Sequence, residues 1–371
     1  MMFKTTMAAA SFAKFASFTT LTLFAGAALA QVPAGYPADY QKIIDGAKKE
    51  GKLVVYGATD SKATQPLIKD FSAQFPGITV EYNDMNSTEV YNRFISEVAA
   101  GGGTADAVWS SAMDLQMRLA SDGYAMKYKS VEAPKLPAWS MWDDQAYGTT
   151  FEPAAIVYNK RLVDAKEVPQ THADFAKLIQ LPKFKDKVTT YDIEKSGVGF
   201  MFMTQDAREN PKFIDMLNAF GAAKVRVQSS TGTMLERISS GENLIGYNVV
   251  GSYALVRAKA DPSLGVVLPK DYTLIMSRVM FISKSAKNPN AAKLWLDYIL
   301  SKRGQTVIAN DSKLFAIRAD VTGETTSADL IKQIGQANVK PIPVHPMVLQ
   351  FLGPAKRMAF LKQWKESAGK K

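Results

Sequence analysis

The sequence predicts an α/β protein built from layered sheets in two domains. Short apolar runs bounded by turn residues alternate with longer amphipathic stretches, which is the signature of strands feeding helices. The chain has 371 residues, more than one hydrophobic core usually serves. No internal repeat or low-complexity segment interrupts the alternation.

The elements follow in order. DYQKIIDGAKKEG (39–51) is an amphipathic helix closed by Gly51, LVVY (53–56) a buried strand, and Ser61 to Phe75 a helix with Leu67, Ile68, Phe71 and Phe75 on one face. ITVEY (78–82) is a strand. Asn86 to Ala100 is a helix that buries Val90, Phe94, Ile95 and Val98 and stops at GGG. DAVW (106–109) is a strand and Ser111 to Ser121 a helix. AIVYN (155–159) is a strand, and Thr171 to Ile179 a helix opened by a Thr171/Asp174 capping box. KVTTYD (187–192) is a strand, with a helix beginning in SGVGFMFM (196–203). Lys212 to Phe220 and Thr233 to Ser239 are helices, and LIGYNV (244–249) is another strand. Residues 264–268 and TLIMSRVMFIS (273–283) extend the strands, and Asn290 to Ser301 is helical. A proline-punctuated strap and a last helix close the chain.

Residues 1–30 stand apart. Lys4 and Lys14 lead into the apolar run FASFTTLTLFAGAALA, which ends in Ala28-Leu29-Ala30. A basic start, a short apolar core and a small-x-small ending mark a cleavable secretory signal. No later stretch approaches the roughly 18 unbroken apolar residues of a membrane span. A soluble, exported chain starting near Gln31 is therefore expected. It has no cysteine, so core burial must supply its stability. Nothing anchors it, and retention then points to a Gram-negative periplasm.

The 45 Lys and Arg exceed the 35 Asp and Glu by 10; without Lys4 and Lys14 the balance is 43 to 35, an excess of 8. Such a charge favours anionic partners. Nucleic acid is not expected, because no basic run with interleaved aromatics occurs and export removes the opportunity. Part of the excess sits in the tail, Lys356 to Lys371, on a solvated helix end.

Catalytic motifs are missing. The two histidines, His172 and His345, read as solvated structural residues. There is no G-x-S-x-G elbow, P-loop, G-x-G-x-x-G, H-E-x-x-H or Cys/His cluster. No enzyme activity, metal or cofactor is expected.

Polar residues recur instead after strands and before helices. Thr59, Asp60 and Ser61 follow LVVY, Asn86 and Ser87 precede the third helix, Ser110 and Ser111 follow DAVW, and Ser196 and Gly197 follow TTYD. Ligands of layered α/β proteins bind outside the carboxyl ends of strands, where helix N-termini offer free N–H groups to anions. Each group also fits a helix cap, and Ser111 with Asp114 fits a capping box. Arg278 interrupts an apolar strand and needs an anion, a carboxylate or solvent. Tyr247, Asn248, Ser252 and Tyr253 crowd GYNVVGSYA, where they either pack or contact a ligand.

The ordered series KKEGKLVVYGATD, FPGITVEY, ADAVWSS, IVYN, KSGVGF, SSGENLIGYNVVGSYA and NPNAAKLWLDYILSKRGQ resembles the periplasmic solute-binding proteins of ABC importers. More narrowly, it is similar to the branch with the ferric-iron, phosphonate and sugar-phosphate binders. The resemblance implies a two-lobed type II fold with the ligand between the lobes. Residues 31–148 would form the first part of lobe 1, residues 149–266 lobe 2, and residues 267–371 the rest of lobe 1 with a helical tail. Joining strands would lie near 149–157 and 265–275. It further implies a monomer that closes by a hinge and docks on an inner-membrane permease. Iron-binding members carry an early His, a Glu after the third strand and adjacent tyrosines; here Asp60, Ser111 and Val-Val-Gly-Ser-Tyr stand there. Hydroxyls, a glycine-opened helix end and Arg278 suit a small organic anion: a phosphonate, a sugar or polyol phosphate, or a carboxylate. A ferric-iron binder and a secreted hydrolase remain the alternatives.

Overall fold

The computed structural model describes residues 1–2, 32–102 and 104–369. The expected signal segment lies almost wholly outside them. In chain order, α1 (Gln41–Glu50), β1 (Lys52–Gly57), α2 (Ser61–Gln74), β2 (Thr79–Asp84), α3 (Ser87–Ala99), β3 (Ala107–Ser110) and α4 (Met113–Ser121) form the opening unit. A hairpin of β4 (Met141–Trp142) and β5 (Ala146–Gly148) follows. Next come β6 (Glu152–Asn159), α5 (His172–Leu178), β7 (Val188–Tyr191), α6 (Gly197–Glu209), α7 (Phe213–Ala222) and β8 (Arg226–Gln228). Then α8 (Thr231–Ser239), β9 (Ile245–Val250), α9 (Gly251–Ala260), β10 (Leu264–Val267), β11 (Thr273–Met276) and β12 (Val279–Ile282). The chain ends with α10 (Pro289–Leu300), α11 (Lys302–Asn310), α12 (Ser327–Ile334), β13 (Val339–Pro341) and α13 (Pro354–Ser367).

Among the described residues the strands make two sheets. One runs β2-β1-β3-β12-β5-β4 and the other β13-β11-β6-β9-β7-β8, with β10 beside β6. β1 is parallel to β2 and β3, whereas β12 lies antiparallel to β3 and β5. The central strands β3, β6, β9, β11 and β12 are buried on both faces because helices cover them, whereas the edge strands β2 and β8 are partly exposed. On the first sheet α1, α2 and α10 bring together Ile44, Leu67, Phe71 and Trp295, the last two rings meeting edge to face at 5.1 Å. On the second, Phe175, Phe220 and Tyr247 form a core that Phe360 and Trp364 of α13 close. The tail helix is thus half of a packed interface, although its lysines are solvated.

The apolar run 273–283 is two strands, not one. β11 pairs with β6 and β13 in the second sheet, while β12 pairs with β3 and β5 in the first. Ser277 and Arg278 form the crossing, and the chain crosses in the other direction at 149–151. Sheet membership therefore changes at 277–278 rather than at the expected 266/267. Of the tail expected in lobe 1, β13 pairs with β11 and α13 packs on the second core, while residues 346–351 between them lie against α4. The two crossings are laced together: Thr149 N–H donates to the Arg278 carbonyl at 3.0 Å, and Arg278 N–H to Thr150 Oγ1 at 2.9 Å.

The segment that leads into α1 is pinned by one buried acid. Asp297 on α10 accepts from Tyr40 at 2.7 Å, and from Tyr128 and Ser130 at 2.5 Å each. Burial pushes its carboxyl up to about 6 from an ordinary 3.8. The folded protein thus keeps a proton that the unfolded chain has lost. Asp297's contribution is fully present below about pH 4 and is lost as pH rises through about 6. Urea midpoints measured from pH 4 to 7 should fall over this window in the wild type and stay flatter in Asp297→Asn; equal slopes would refute the assignment.

Candidate ligand-binding cleft

Between the sheets lies a cavity of about 240 Å³. Ala58, Asp60, Asp84, Asn86 and Ser111 line it from the first sheet's side, and Tyr191, Ser196, Ser229, Thr231, Gly232 and Tyr253 from the other. Side chains or amides meet across it: Thr88 Oγ1 donates to the Lys195 carbonyl at 2.9 Å, Val198 N–H to Ser87 Oγ at 3.2 Å, and Asp60 N–H to Tyr253 Oη at 3.1 Å.

Several helices aim their N-termini here, each for a local reason. Asn86 caps α3 with Glu89 in a reciprocal box, Ser196 caps α6 through Gly199 N–H, and Ser230 caps α8 through Thr233 N–H. Those caps leave the first two amides of α8, Thr231 and Gly232, without an acceptor among the described residues. The hydroxyls of Ser111 and Ser229 likewise take no partner there. The carboxylates of Asp60 and Asp84 supply acceptors. Burial raises the Asp60 carboxyl against the opposing pull of Arg278. Burial also pushes the Tyr253 phenol up to about 12 and holds Tyr191 protonated, so both are hydroxyl donors rather than phenolates.

The expected site residues divide into two groups. Asp60, Ser111, Ser196, Tyr253 and Arg278 line the cavity. Thr59 and Ser61 stand behind it: Thr59 Oγ1 accepts from Arg278 at 3.0 Å, and Ser61 gives both N–H and hydroxyl to Asp84. Ser110 is buried, its Oγ accepting from Ala112 N–H at 3.3 Å. The expected Ser111/Asp114 capping box does not form. α4 starts two residues later, at Met113, and Asp114 bonds the Leu115 N–H instead. Gly197 faces away from the cavity, and a Cβ there would lie 2.8 Å from Leu115 Cδ1 and 3.0 Å from Ala112 Cβ. Its missing side chain lets α6 meet α4 across the seam.

Tyr247 and Asn248 point into the second core. Tyr247 donates to Asp206 at 3.0 Å and Asn248 at 2.6 Å, while Tyr272 reaches the other oxygen at 2.8 Å. Asn248 also has φ of 58°, a conformation asparagine tolerates. His172 is buried here too, stacked on Tyr272 at 3.8 Å and bonded to Asp271 at 2.9 Å, so its expected solvated role is corrected. His345 accepts from Met347 N–H at the start of a 3-10 turn.

Arg278 is no free anion clamp. Nε and Nη2 reach Glu152 at 2.7 and 3.2 Å, and Nη1 reaches the Ala58 carbonyl at 3.1 Å and Thr59 Oγ1 at 3.0 Å. One of its five N–H donors remains. Burial would lower its pKa, but the adjoining Glu152 charge more than reverses this. Ser252, expected at the ligand, donates to Glu152 instead.

The reading of strand ends missed Asp84, Tyr191 and the SSTG segment at 229–232. The same rule applies to SSTG, but β8 before it is only three residues long and carries no apolar run.

Residues 66–333 match the profile of the bacterial extracellular solute-binding proteins. The chain belongs to that family. The binding protein is 39% identical, with TM-score 0.81, to the substrate-binding protein of an ABC transporter from Agrobacterium tumefaciens, over 85% of this chain and 94% of that one. A second similar structure is the periplasmic binding protein AfuA of Actinobacillus pleuropneumoniae with fructose-6-phosphate bound (19% identity, TM-score 0.70, 86% and 98% covered). A third is iron-bound HitA of Pseudomonas aeruginosa (16%, TM-score 0.69, 85% and 99%). The binding protein has the two-lobed periplasmic-binding-protein fold and is the solute-binding component of an ABC transporter. Family and structural neighbours are transport binding proteins rather than enzymes. Among the described residues no helix is long and apolar enough to cross a membrane.

Proposed function

We propose that the binding protein captures a small organic anion that also carries hydroxyl or amino groups, and delivers it from a Gram-negative periplasm to its permease. The two acceptor-free amides of α8, facing the unpartnered Ser111 hydroxyl across the cavity, carry this reading. A phosphate, phosphonate or carboxylate satisfies such neutral donors, while Asp60 accepts from a hydroxyl or amine at the ligand's other end. The fructose-6-phosphate bound by AfuA has this layout of anion plus hydroxyls. Its similarity to this chain is one of fold. Ferric iron is favoured less: among the described residues no group of three or more His, Asp or Glu could hold a metal.

Thermal unfolding with a panel of sugar phosphates, phosphonates, carboxylates and ferric citrate tests the class. The cognate anion should stabilise the protein by about 2.7 kcal/mol at a hundredfold excess over Kd, and mass spectrometry should find it in the purified protein. A response to ferric salts alone, with a coloured holo-protein, would overturn the assignment. Within the anion reading, Ser111→Ala should weaken binding about three- to tenfold by isothermal titration while leaving the apo melting point unchanged.

A further inference from the structure

A second cavity, of about 350 Å³, opens on the far side of the α6 N-terminus. α3 and α4 line it from one lobe, and α6 with the 352–357 segment from the other. None of Asp60, Thr231, Tyr253 or Arg278 reaches it. Two charged groups in its wall, Asp114 and Arg357, make no ion pair among the described residues, although Arg357 is near enough to pull the Asp114 carboxyl down against its burial. Asp114 is only 2% exposed; one carboxylate oxygen takes the Leu115 N–H at 2.9 Å, and the other has no bond among the described residues. Arg357 lies over the Phe200 ring at 4.2 Å and, among the described residues, makes no ion pair. The other two charges on the wall are matched, Arg118 by Asp122 at 2.6 Å and Glu194 by Lys365 at 2.8 Å.

Burial pushes the Asp114 carboxyl up to about 7 despite the pull of Arg357, and a cation placed on it would favour its ionised form. A guanidinium stacked on a ring keeps its edge N–H groups free for a planar, bidentate carboxylate. Leu115, Phe200 and Leu352 also line the cavity and offer apolar surface to an alkyl or aryl group. We propose that this cavity is a second binding site for a small zwitterion of the α-amino-acid class, with its ammonium on Asp114 and its carboxylate on Arg357. Because both lobes build the site, its occupant favours the approach of the lobes and raises affinity in the main cleft by the factor that the cleft ligand returns.

The test titrates the full chain by calorimetry with the proteinogenic α-amino acids, then compares the best binder with its decarboxylated amine and its deaminated acid. At least one amino acid should bind, and each single-charge analogue should bind about tenfold or more weakly. Asp114→Asn and Arg357→Gln should each lose about tenfold or more for the amino acid, while Ser111→Ala keeps it. Arg357 is half-buried, so its variant reports even if Asp114→Asn folds poorly. Absence of binding by every amino acid overturns the site, as does equal binding of the analogues. Loss in Ser111→Ala alone would also overturn it, by moving the amino acid into the main cleft and revising the ligand class proposed there. Failure of the phosphate and carboxylate panel, by contrast, would leave this site standing.

Discussion

Arg278→Ala is expected to destabilise the protein by about 3–5 kcal/mol, read from urea unfolding near neutral pH. Arg278 and Glu152 are both completely buried at the crossing between the sheets, 1% and 0% exposed, and are joined through two N–H···O bonds. Removing the guanidinium leaves Glu152 with only the hydroxyls of Thr150 and Ser252. Those neutral donors do not replace a charge at a completely buried position. The Ala58 carbonyl and Thr59 hydroxyl lose their donor as well. Replacing both members with apolar residues, Arg278→Met with Glu152→Leu, should recover much of the loss, because the desolvation of both ions disappears with their attraction. A single variant as stable as the wild type would show that water reaches the pair. The effect belongs to stability and the geometry of the crossing first, and any loss of ligand affinity follows from a displaced Thr59–Asp60 segment.

Thr231→Pro is expected to weaken ligand binding by about tenfold to a hundredfold, the value of one hydrogen bond to a charged acceptor. Thr231 is the first residue of α8, preceded by Ser230 in extended conformation at φ −141° and ψ 156°. Proline is well tolerated at that position because its missing N–H has no helical acceptor anyway. The substitution therefore removes a donor from the cleft without breaking the helix. It also removes the hydroxyl that meets Tyr191, and Thr231→Val controls for this by deleting the hydroxyl and keeping the amide. Titration calorimetry with the anion that stabilises the wild type should show a clearly larger loss for proline than for valine. Equal losses would mean that the amide touches no ligand, and the α8 terminus would drop out of the site.

Local physics made much of the architecture legible. Gly51 ends α1 with φ of 66°, Thr171 and Asp174 form their box, and Ser196 opens α6 as the S-G-V-G pattern suggests. The rule that polar residues gather beyond strand ends placed Asp60, Ser111 and Ser196 on the cleft. It failed where side chains had a nearer use. Ser110 turned back to its own backbone, Ser61 bonded Asp84, and Tyr247 and Asn248 satisfied a buried Asp206.

By itself, the sequence determined the alternation of strands and helices, the helix caps and the rim of polar residues, because these depend on neighbours a few positions away. The tertiary structure alone decided which sheet each strand joins, and with it the role of Arg278. Periodicity is identical for a strand in either sheet, and the break at Ser277–Arg278 is visible only once β11 and β12 find different partners. The carboxylate that claims the guanidinium lies 126 positions away. A buried charge is assigned by whichever group the fold brings within reach, and that distance is set by packing.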